Sequence, residues 1–374
     1  MDPSLIVIVV VIAALAFDFT NGFHDTANAM ATSIATGALK PRVAVAISAV
    51  LNLVGAFLSI EVAKTISGGI VDDTKVTPVV VFAGLIGAII WNLLTWLFGL
   101  PSSSSHALFG GLIGATWIAS GADAVHFAAV VEKILIPALA SPIVAGVVAL
   151  VGTFLVYRIT ASARQDTVSK SFKTAQALSA SLVSLAHGTN DAQKTMGVIT
   201  LVLISSGSLA AGSSPPLWVI LSAGAAIAAG TYFGGWRIIQ TMGKKITEIQ
   251  TPQGFAAETS AAATILASSH LGFALSTTHV CSGGIIGSGV GRKLAEVRWG
   301  VAGRMVIAWL LTLPAAAVVG AIASEVSSQG SIGTVLVGIV GVVVGVVIYL
   351  WSRRHPVTHA NVNESEPQPA AVAA

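Results

Sequence analysis

Long apolar runs follow one another along almost the whole chain. The first, "SLIVIVVVIAALAF" (4–17), is typical. Candidate spans lie at roughly 4–37, 43–63, 79–98, 104–120, 128–157, 174–205, 215–236, 255–273, 278–291, 303–323 and 331–351. A helix needs about 20 predominantly apolar residues to cross the hydrocarbon core of a bilayer. Of 374 residues, 54% are hydrophobic and only 9% charged, against about 25% charged in soluble domains. A water-facing surface cannot be made from so few charges. A transmembrane barrel would show short alternating segments instead. The fold class is therefore an all-α polytopic membrane protein, with about 10–12 transmembrane segments.

Three of these runs, 4–37, 128–157 and 174–205, are too long for one straight crossing, and two of them contain clusters of polar residues. The spacing predicts helices broken at those clusters, since irregular backbone at membrane depth is tolerated where it is buried or lines a cavity. Lys40/Arg42, Arg158–Lys173, Arg237–Lys245, Arg292–Arg298 and Arg353/Arg354 mark the cytoplasmic loops, which places the N-terminus outside and the C-terminus inside. The net charge of +3 reflects those loops, and no nucleic-acid partner is read from it. The single cysteine, Cys281, excludes an intramolecular disulfide. The N-terminal run lacks a basic lead and reads as a retained helix rather than a signal peptide.

An internal repeat organises the chain. "NGFHDTANAM" (21–30) aligns with "HGTNDAQKTM" (187–196), matching Gly22 to Gly188, Asp25 to Asp191 and Met30 to Met196. "GLPSSSSHALFGGLIG" (99–114) aligns with "GFALSTTHVCSGGIIG" (272–287), matching His106 to His279. The charge distribution makes the two halves antiparallel, and inverted repeats with interrupted helices are an architecture of secondary transporters. The expected layout is a first repeat over 1–157, a basic cytoplasmic linker over 158–173, a second repeat over 174–351 and a disordered tail over 352–374. Each repeat carries one helical hairpin tipped with Ser and Thr.

Ionisable groups at the centre of a membrane helix cost at least ~2.5–3.5 kcal/mol, so they rarely lie there idle. Asp25, Asp191, Glu258 and Lys194 fall inside apolar runs, and Asp18 lies just ahead of the first motif. Lys194 follows Asp191 by three residues and shares its helical face; a structural ion pair would explain that alone. The duplicated Asp25 has Asn28 at the matching position, so the two halves hold different chemistry. "SSSSH" and "STTH" sit where a helix begins, with free N–H groups and the positive dipole end. One cap needs one hydroxyl, so Ser103, Ser104, Ser105, Ser276, Thr277 and Thr278 read as an anion site. Asn28, Thr189, Asn190 and Lys194 complete the candidate donors. Asp25, Asp191, His24 and Glu258 are the candidates for a coupling ion, and Asp25 and Asp191 also for a metal. The chemistry is that of an oxyanion and a cation bound together. A histidine in a helix-start turn, as at 106 and 279, is most simply a hydrogen-bond partner.

"NGFHDTANA", "AHGTNDAQK", "GLPSSSSH" and "LSTTH" resemble the signatures of the PiT family of inorganic phosphate transporters, and the spelling with His24 before Asp25 resembles its bacterial low-affinity branch. The resemblance implies a multi-pass protein of the cell membrane that imports inorganic phosphate, driven by H⁺ in the bacterial branch or by Na⁺ in others. The cargo in the bacterial branch is free phosphate or a phosphate complex of a divalent metal. No resident cofactor is implied, and a homodimer is. The family's motif aspartates fall on Asp25 and Asp191 and its hairpin glutamate on Glu258. A second glutamate, expected early in the chain, is replaced by Asn52, which favours protons over a pair of sodium ions. The rival classes are an anion channel and an intramembrane hydrolase. The duplicated Ser-His unit suits symmetric binding better than the unique nucleophile a hydrolase needs.

Overall fold

Turn chemistry at two corresponding places decides where the functional side chains end up. The computed structural model describes residues 3–292 and 297–364. Among them the chain is helical throughout, with no strand and one isolated antiparallel bridge, Val71–Val125. The first half comprises α1 (Pro3–Ala35), α2 (Pro41–Gly55), α3 (Glu61–Gly69), α4 (Pro78–Leu97), α5 (Ser104–Ser120), α6 (Phe127–Val130) and, after a π turn at Val131–Leu135, α7 (Ile136–Ile159). The second comprises α8 (Gln165–Ser205), α9 (Leu217–Phe233), α10 (Trp236–Gln240), α11 (Thr251–His270), α12 (Thr277–Arg292), α13 (Trp299–Ser327) and α14 (Ser331–Ser352). Proline opens α2 and α4, where its missing N–H costs nothing and its φ is already helical.

Two helical hairpins, α4–α5 and α11–α12, reverse through the same turn. Gly99 and Gly272 take φ of 62° and 74°, a conformation open to glycine. The amides that follow reach back in the same pattern: Leu100 N to Thr95 O and Phe273 N to Ser268 O, each 2.9 Å. Both are Schellman-type helix ends. A short extended segment then leads into the next helix, so α5 and α12 begin deep inside the protein.

The breaks expected within 4–37 and 174–205 are absent, because α1 and α8 run unbroken through both polar motifs. The polar side chains are buried against other helices, so the backbone need not unwind to serve as a partner. Thr26 and Thr189 donate to the carbonyls of Gly22 and Leu185 one turn back, at 2.7 and 2.8 Å. The interruptions lie instead at the hairpin tips and at Gly234, where the axis turns by 62° between α9 and the helical segment that follows it. The span expected over 43–63 divides into α2 and α3. Five helices among the described residues are long and apolar enough to cross a membrane alone, or six counting that bent pair. Their outer faces carry exposed Ile, Leu and Val, notably on α7, α13 and α14.

The basic segment 158–173 is divided between the end of α7, a short connection and the first turns of α8. Of the tail expected to be disordered, residues 353–364 fold back on the body instead. Arg237 donates to the carbonyls of Ser352 and His355 at 2.8 and 2.6 Å, Asn363 donates to Ile34 O, and Val362 is buried. Residues 365–374 lie outside the described residues.

Packing relations recur across the halves in exchanged form: α1 packs on α9 and α8 on α2, while α5 packs on α13 and α12 on α7. The repeated "GGLIG" and "GGIIG" bring α5 close to both α13 and its hairpin partner α4, and α12 close to α7. A Cβ on Gly111 would collide with the Gly84 carbonyl oxygen, and one on Gly287 with that of Gly146. Small residues at helix crossings let backbones approach where lipid supplies no hydrophobic drive. We therefore expect Gly111→Ala and Gly287→Ala to destabilise the protein by about 1–3 kcal/mol, outweighing the helix propensity that alanine gains. Gly303→Ala, with nothing within 4 Å, should melt no lower than the parent. Thermal unfolding in detergent checks this, and equal melting points in all three would remove the close approach as a requirement.

Candidate functional site

Four elements bring polar groups to one buried place: the middles of α1 and α8, and the starts of α5 and α12. Asp25 and Asp191 are 1% and 0% exposed. Each is met first by its own helix. His24 Nδ1 donates to Asp25 Oδ1 at 2.6 Å, and Lys194 Nζ donates to Asp191 Oδ1 at 2.5 Å. The hairpins then reach in. Ser104 Oγ donates to Asp25 Oδ2 at 2.8 Å. Thr277 Oγ1 lies 3.2 Å from Asp191 Oδ2 and 3.4 Å from Asp25 Oδ2, so one hydroxyl spans both carboxylates. Thr278 lies at 3.5 Å from both oxygens of Asp25.

Asn28 Nδ2 donates to Thr277 and Thr278 at 3.2 and 3.0 Å. Lys194 Nζ and Ser105 Oγ both donate to the Leu275 carbonyl, at 3.1 and 3.3 Å. That oxygen ties α8, the first hairpin and the second hairpin together. Ser103 and Ser276 do different work: each accepts from the backbone N–H three residues on, at His106 and His279, at 3.1 and 3.2 Å. They are N-caps, one per hairpin, which leaves the remaining hydroxyls free for other partners. The two start histidines lie ring to ring with centroids 4.9 Å apart, and His279 Nδ1 donates to Ala138 O at 3.2 Å.

Several expected residues lie apart from this group. Thr189 spends its hydroxyl within α8, and Asn190 braces the second hairpin by donating to Ser269 Oγ at 2.9 Å and Phe273 O at 3.4 Å. The cause is helical phase, because both residues turn away from the face that carries Asp191 and Lys194. Glu258 forms a cluster of its own. It accepts from Thr32, from Ser179 at 2.5 Å and from Gln176 at 3.2 Å, so it joins α1, α8 and α11. Thr32 follows Asp25 by seven residues, about 10 Å along the helix.

His187 is the participant that sequence reasoning left out. Its Nε2 lies 3.0 Å from Asp191 Oδ2 and 3.9 Å from Asp25 Oδ2, an ionic approach rather than an aligned hydrogen bond. Its Nδ1 donates to Asn52 Oδ1 at 3.1 Å, and Asn52 in turn donates to Thr231 at 2.7 Å. Asn52 therefore orients the ring. The spacing of His187 and Asp191, four residues on one helix, was the available signal. Asp25, His187 and Asp191 offer donor atoms within 4.8 Å of one another.

Residues 21–320 match the family described as "Phosphate transporter family". The chain is 58% identical over 361 residues to a Mycobacterium bovis protein named "probable low-affinity inorganic phosphate transporter", covering 96% of this chain and 87% of that one. A Bacillus subtilis protein of the same name is 45% identical over 326 residues, covering 86% and 98%. A solved structure titled "The sodium-dependent phosphate transporter" superposes with a TM-score of 0.73 at 26% identity, covering 87% of this chain and 99% of that one.

The Asp191–Lys194 contact makes a stability prediction. Asp191→Asn leaves Lys194 charged, buried and without its carboxylate, and breaking one side of such a pair costs about 3–5 kcal/mol. The double variant Asp191→Asn/Lys194→Met should recover most of that loss. Denaturation of the purified protein measures both, and equal stability of parent and single variant would mean that the pair contributes nothing to the fold.

Proposed function

The chain belongs to the phosphate transporter family, and from that premise we propose that it imports inorganic phosphate by symport with protons carried at the Asp25–Asp191 pair. It is a multi-pass phosphate transporter of the cell membrane and not an enzyme. The proton reading and the residue roles rest on the physical arguments that follow.

The observation that carries the proposal is that the hairpin hydroxyls already have acceptors. Ser104 and Thr277 donate to Asp25 and Asp191, so phosphate and the two carboxylates compete for the same donors. They also repel each other: two like unit charges 4 Å apart oppose by about 4 kcal/mol at an effective dielectric near 20. A cation on each carboxylate removes both obstacles. It cancels the repulsion and releases the hydroxyls to turn to the anion. Ser104, Ser105, Thr277, Thr278, Asn28 and Lys194 then supply donors, with the N-terminal amides and dipoles of α5 and α12 behind them. Tight phosphate binding therefore requires co-bound cations, which is the thermodynamic content of symport.

Two features favour protons. His24 joins Asp25 to a polar chain, its Nε2 lying 3.2 Å from Thr95 Oγ1 and 3.4 Å from Ser102 Oγ. Its two ring nitrogens could pass a proton between the carboxylate and that chain. Asn52, where the resemblance implies a carboxylate, adds no negative charge and is spent on His187 and Thr231. Sodium is the rival reading, since a structural relative is titled sodium-dependent. The grouping of Asp25, His187 and Asp191 also suits a divalent ion travelling with phosphate as cargo; uptake that magnesium raises would support it, and metal-independent uptake would count against it.

In sodium-free proteoliposomes, an inward proton gradient should drive phosphate accumulation. Asp25→Asn should abolish accumulation while the protein remains inserted, and His24→Gln should slow it, because glutamine keeps a hydrogen bond but cannot relay a proton. Strict dependence on sodium, with no uptake under a pH gradient, would return the assignment to sodium symport. Removing one hydroxyl, as in Ser104→Ala, should weaken half-saturation by about 1.5–3 kcal/mol if it bonds a charged ligand. Unchanged half-saturation would leave Ser104 a partner of Asp25 alone.

A further inference from the structure

A cleft opens on the outer face of the protein between α7 and α13. α7 packs on α11 and α12, and α13 on α4, α5 and α14, so these two helices flank a space of about 650 Å³ floored by α12. Ile143 and Val147 line one wall and Val306 and Leu310 the other, and all four are exposed. Toward the end of α7 the lining changes. A second cavity, of about 410 Å³, is lined by Phe154, Tyr157, Arg158, Gly291 and Arg292. We propose that cleft and cavity together bind one anionic phospholipid of the cytoplasmic leaflet, its acyl chain along the cleft and its phosphate headgroup on Arg158 and Arg292.

The two spaces are continuous along both helices. On α7, Ile143, Val147, Leu150, Phe154 and Arg158 line them in turn, and their spacing of three or four residues is one face of a helix. On α12, Val290 lines the cleft and Gly291 the cavity. The floor lacks bulk because Gly283, Gly287 and Gly291 press α12 onto the backbone of α7 at Pro142, Gly146 and Leu150. From Ile143 to Phe154 the helix rises about 16 Å at 1.5 Å per residue. One leaflet contributes half of a hydrocarbon core of about 30 Å, so the cleft matches the depth of a single leaflet.

The chemistry at the polar end selects an anionic headgroup. No carboxylate lines the cavity. Arg158 is exposed and forms no ion pair among the described residues. Arg292 lies over the Tyr157 ring at 5.8 Å and donates to Gln253 Oε1 at 3.2 Å, and Tyr157 donates to Gln250 Oε1 at 2.8 Å. Those contacts hold the second guanidinium and the ring in place. A guanidinium matches phosphate oxygens in pairs, and basic pockets between helices on the cytoplasmic side suit anionic lipid headgroups. Tyr157 and Phe154 stand at the depth where aromatic rings favour the membrane interface. Free phosphate would need the arginines alone; the apolar cleft continuing from them calls for an acyl chain. At its inner end that chain would meet His279 and Trp309, whose rings lie 4.3 Å apart. Trp309 donates to Pro101 O at 2.9 Å, so the lipid would pack on residues that join both hairpin tips.

Native mass spectrometry of the purified full chain tests the site, after delipidation in detergent and titration with phosphatidylglycerol or phosphatidylcholine of the same acyl chains. No transport is measured, so the result is independent of the symport reading. The parent should hold one phosphatidylglycerol more tightly than phosphatidylcholine. Arg158→Gln should weaken phosphatidylglycerol about fivefold and Arg158→Gln/Arg292→Gln about 25-fold, with phosphatidylcholine unchanged. Arg164→Gln removes an exposed charge of the same basic segment that lines neither space and should bind as the parent does. Val147→Trp narrows the cleft and should weaken both lipids. Equal affinity of the parent for the two lipids overturns the proposal, as does an equal loss in Arg164→Gln. Because Arg158 is exposed, its variant should fold, and an unchanged preference there also overturns it. A dimer that retains neither lipid would assign the cleft to a second copy of the chain instead.

Discussion

Two carboxylates buried within reach of one hydroxyl govern the rest of this structure. Asp25 and Asp191 share Thr277, and neither can be ionised in a membrane interior without neighbours that supply positive charge or hydrogen bonds. The surroundings answer that demand one group at a time. Lys194 and His187 approach Asp191, while His24 and Ser104 approach Asp25. The hairpins are needed for this reason as much as for binding an anion. Their tips carry hydroxyls and dipole ends to a depth that a straight transmembrane helix cannot deliver, since its own N–H groups are already spent on its carbonyls.

Much of the site was legible in the sequence because it is written twice. The duplicated Asp and the duplicated Ser/Thr-His segments are local signals, and Asp25, Asp191, Ser104, Thr277, Thr278, Asn28 and Lys194 do converge. Helical phase was the first thing that escaped. Thr189 and Asn190 are neighbours of Asp191 in sequence, but successive residues on a helix point about 100° apart, and the two serve their own helix and the second hairpin instead. His187 was missed for the converse reason: it has no counterpart in the first repeat, and its role depends on Asn52 from a distant helix. The breaks expected in α1 and α8 failed because polar composition does not itself unwind a helix. A helix can present many polar side chains if other helices bury them and satisfy them.

The glycine pattern is positional. Gly99 and Gly272 fix the reversals, while the Gly-rich starts of α5 and α12 set how closely those helices lie against α13 and α7. The two functions act on the same segments. A hairpin whose turn is fixed at one end and whose flank is pressed backbone to backbone has little freedom to relocate its tip. Catalytic and binding groups need that support, and here it comes from residues without side chains.

The repeat is not symmetric in its grip. Position 28 of α1 and its counterpart 194 of α8 are the residues that differ most in chemistry, yet both reach the second hairpin. Asn28 donates to Thr277 and Thr278, and Lys194 donates to the carbonyl of Leu275. The first hairpin is held through Ser104 on Asp25 and Ser105 on that same carbonyl. The second tip is therefore anchored by both long helices, and the first by Ser104 on Asp25, by Ser102 beside His24, and by backbone carbonyls that accept from Trp309 and Thr241. Neutralising Asp25 weakens the acceptor that Ser104 shares with Thr277 and Thr278, whereas the second tip keeps Asn28 and Lys194. An apparently symmetric site thus responds unequally to charge, and the Lys/Asn difference between the repeats is what makes it unequal.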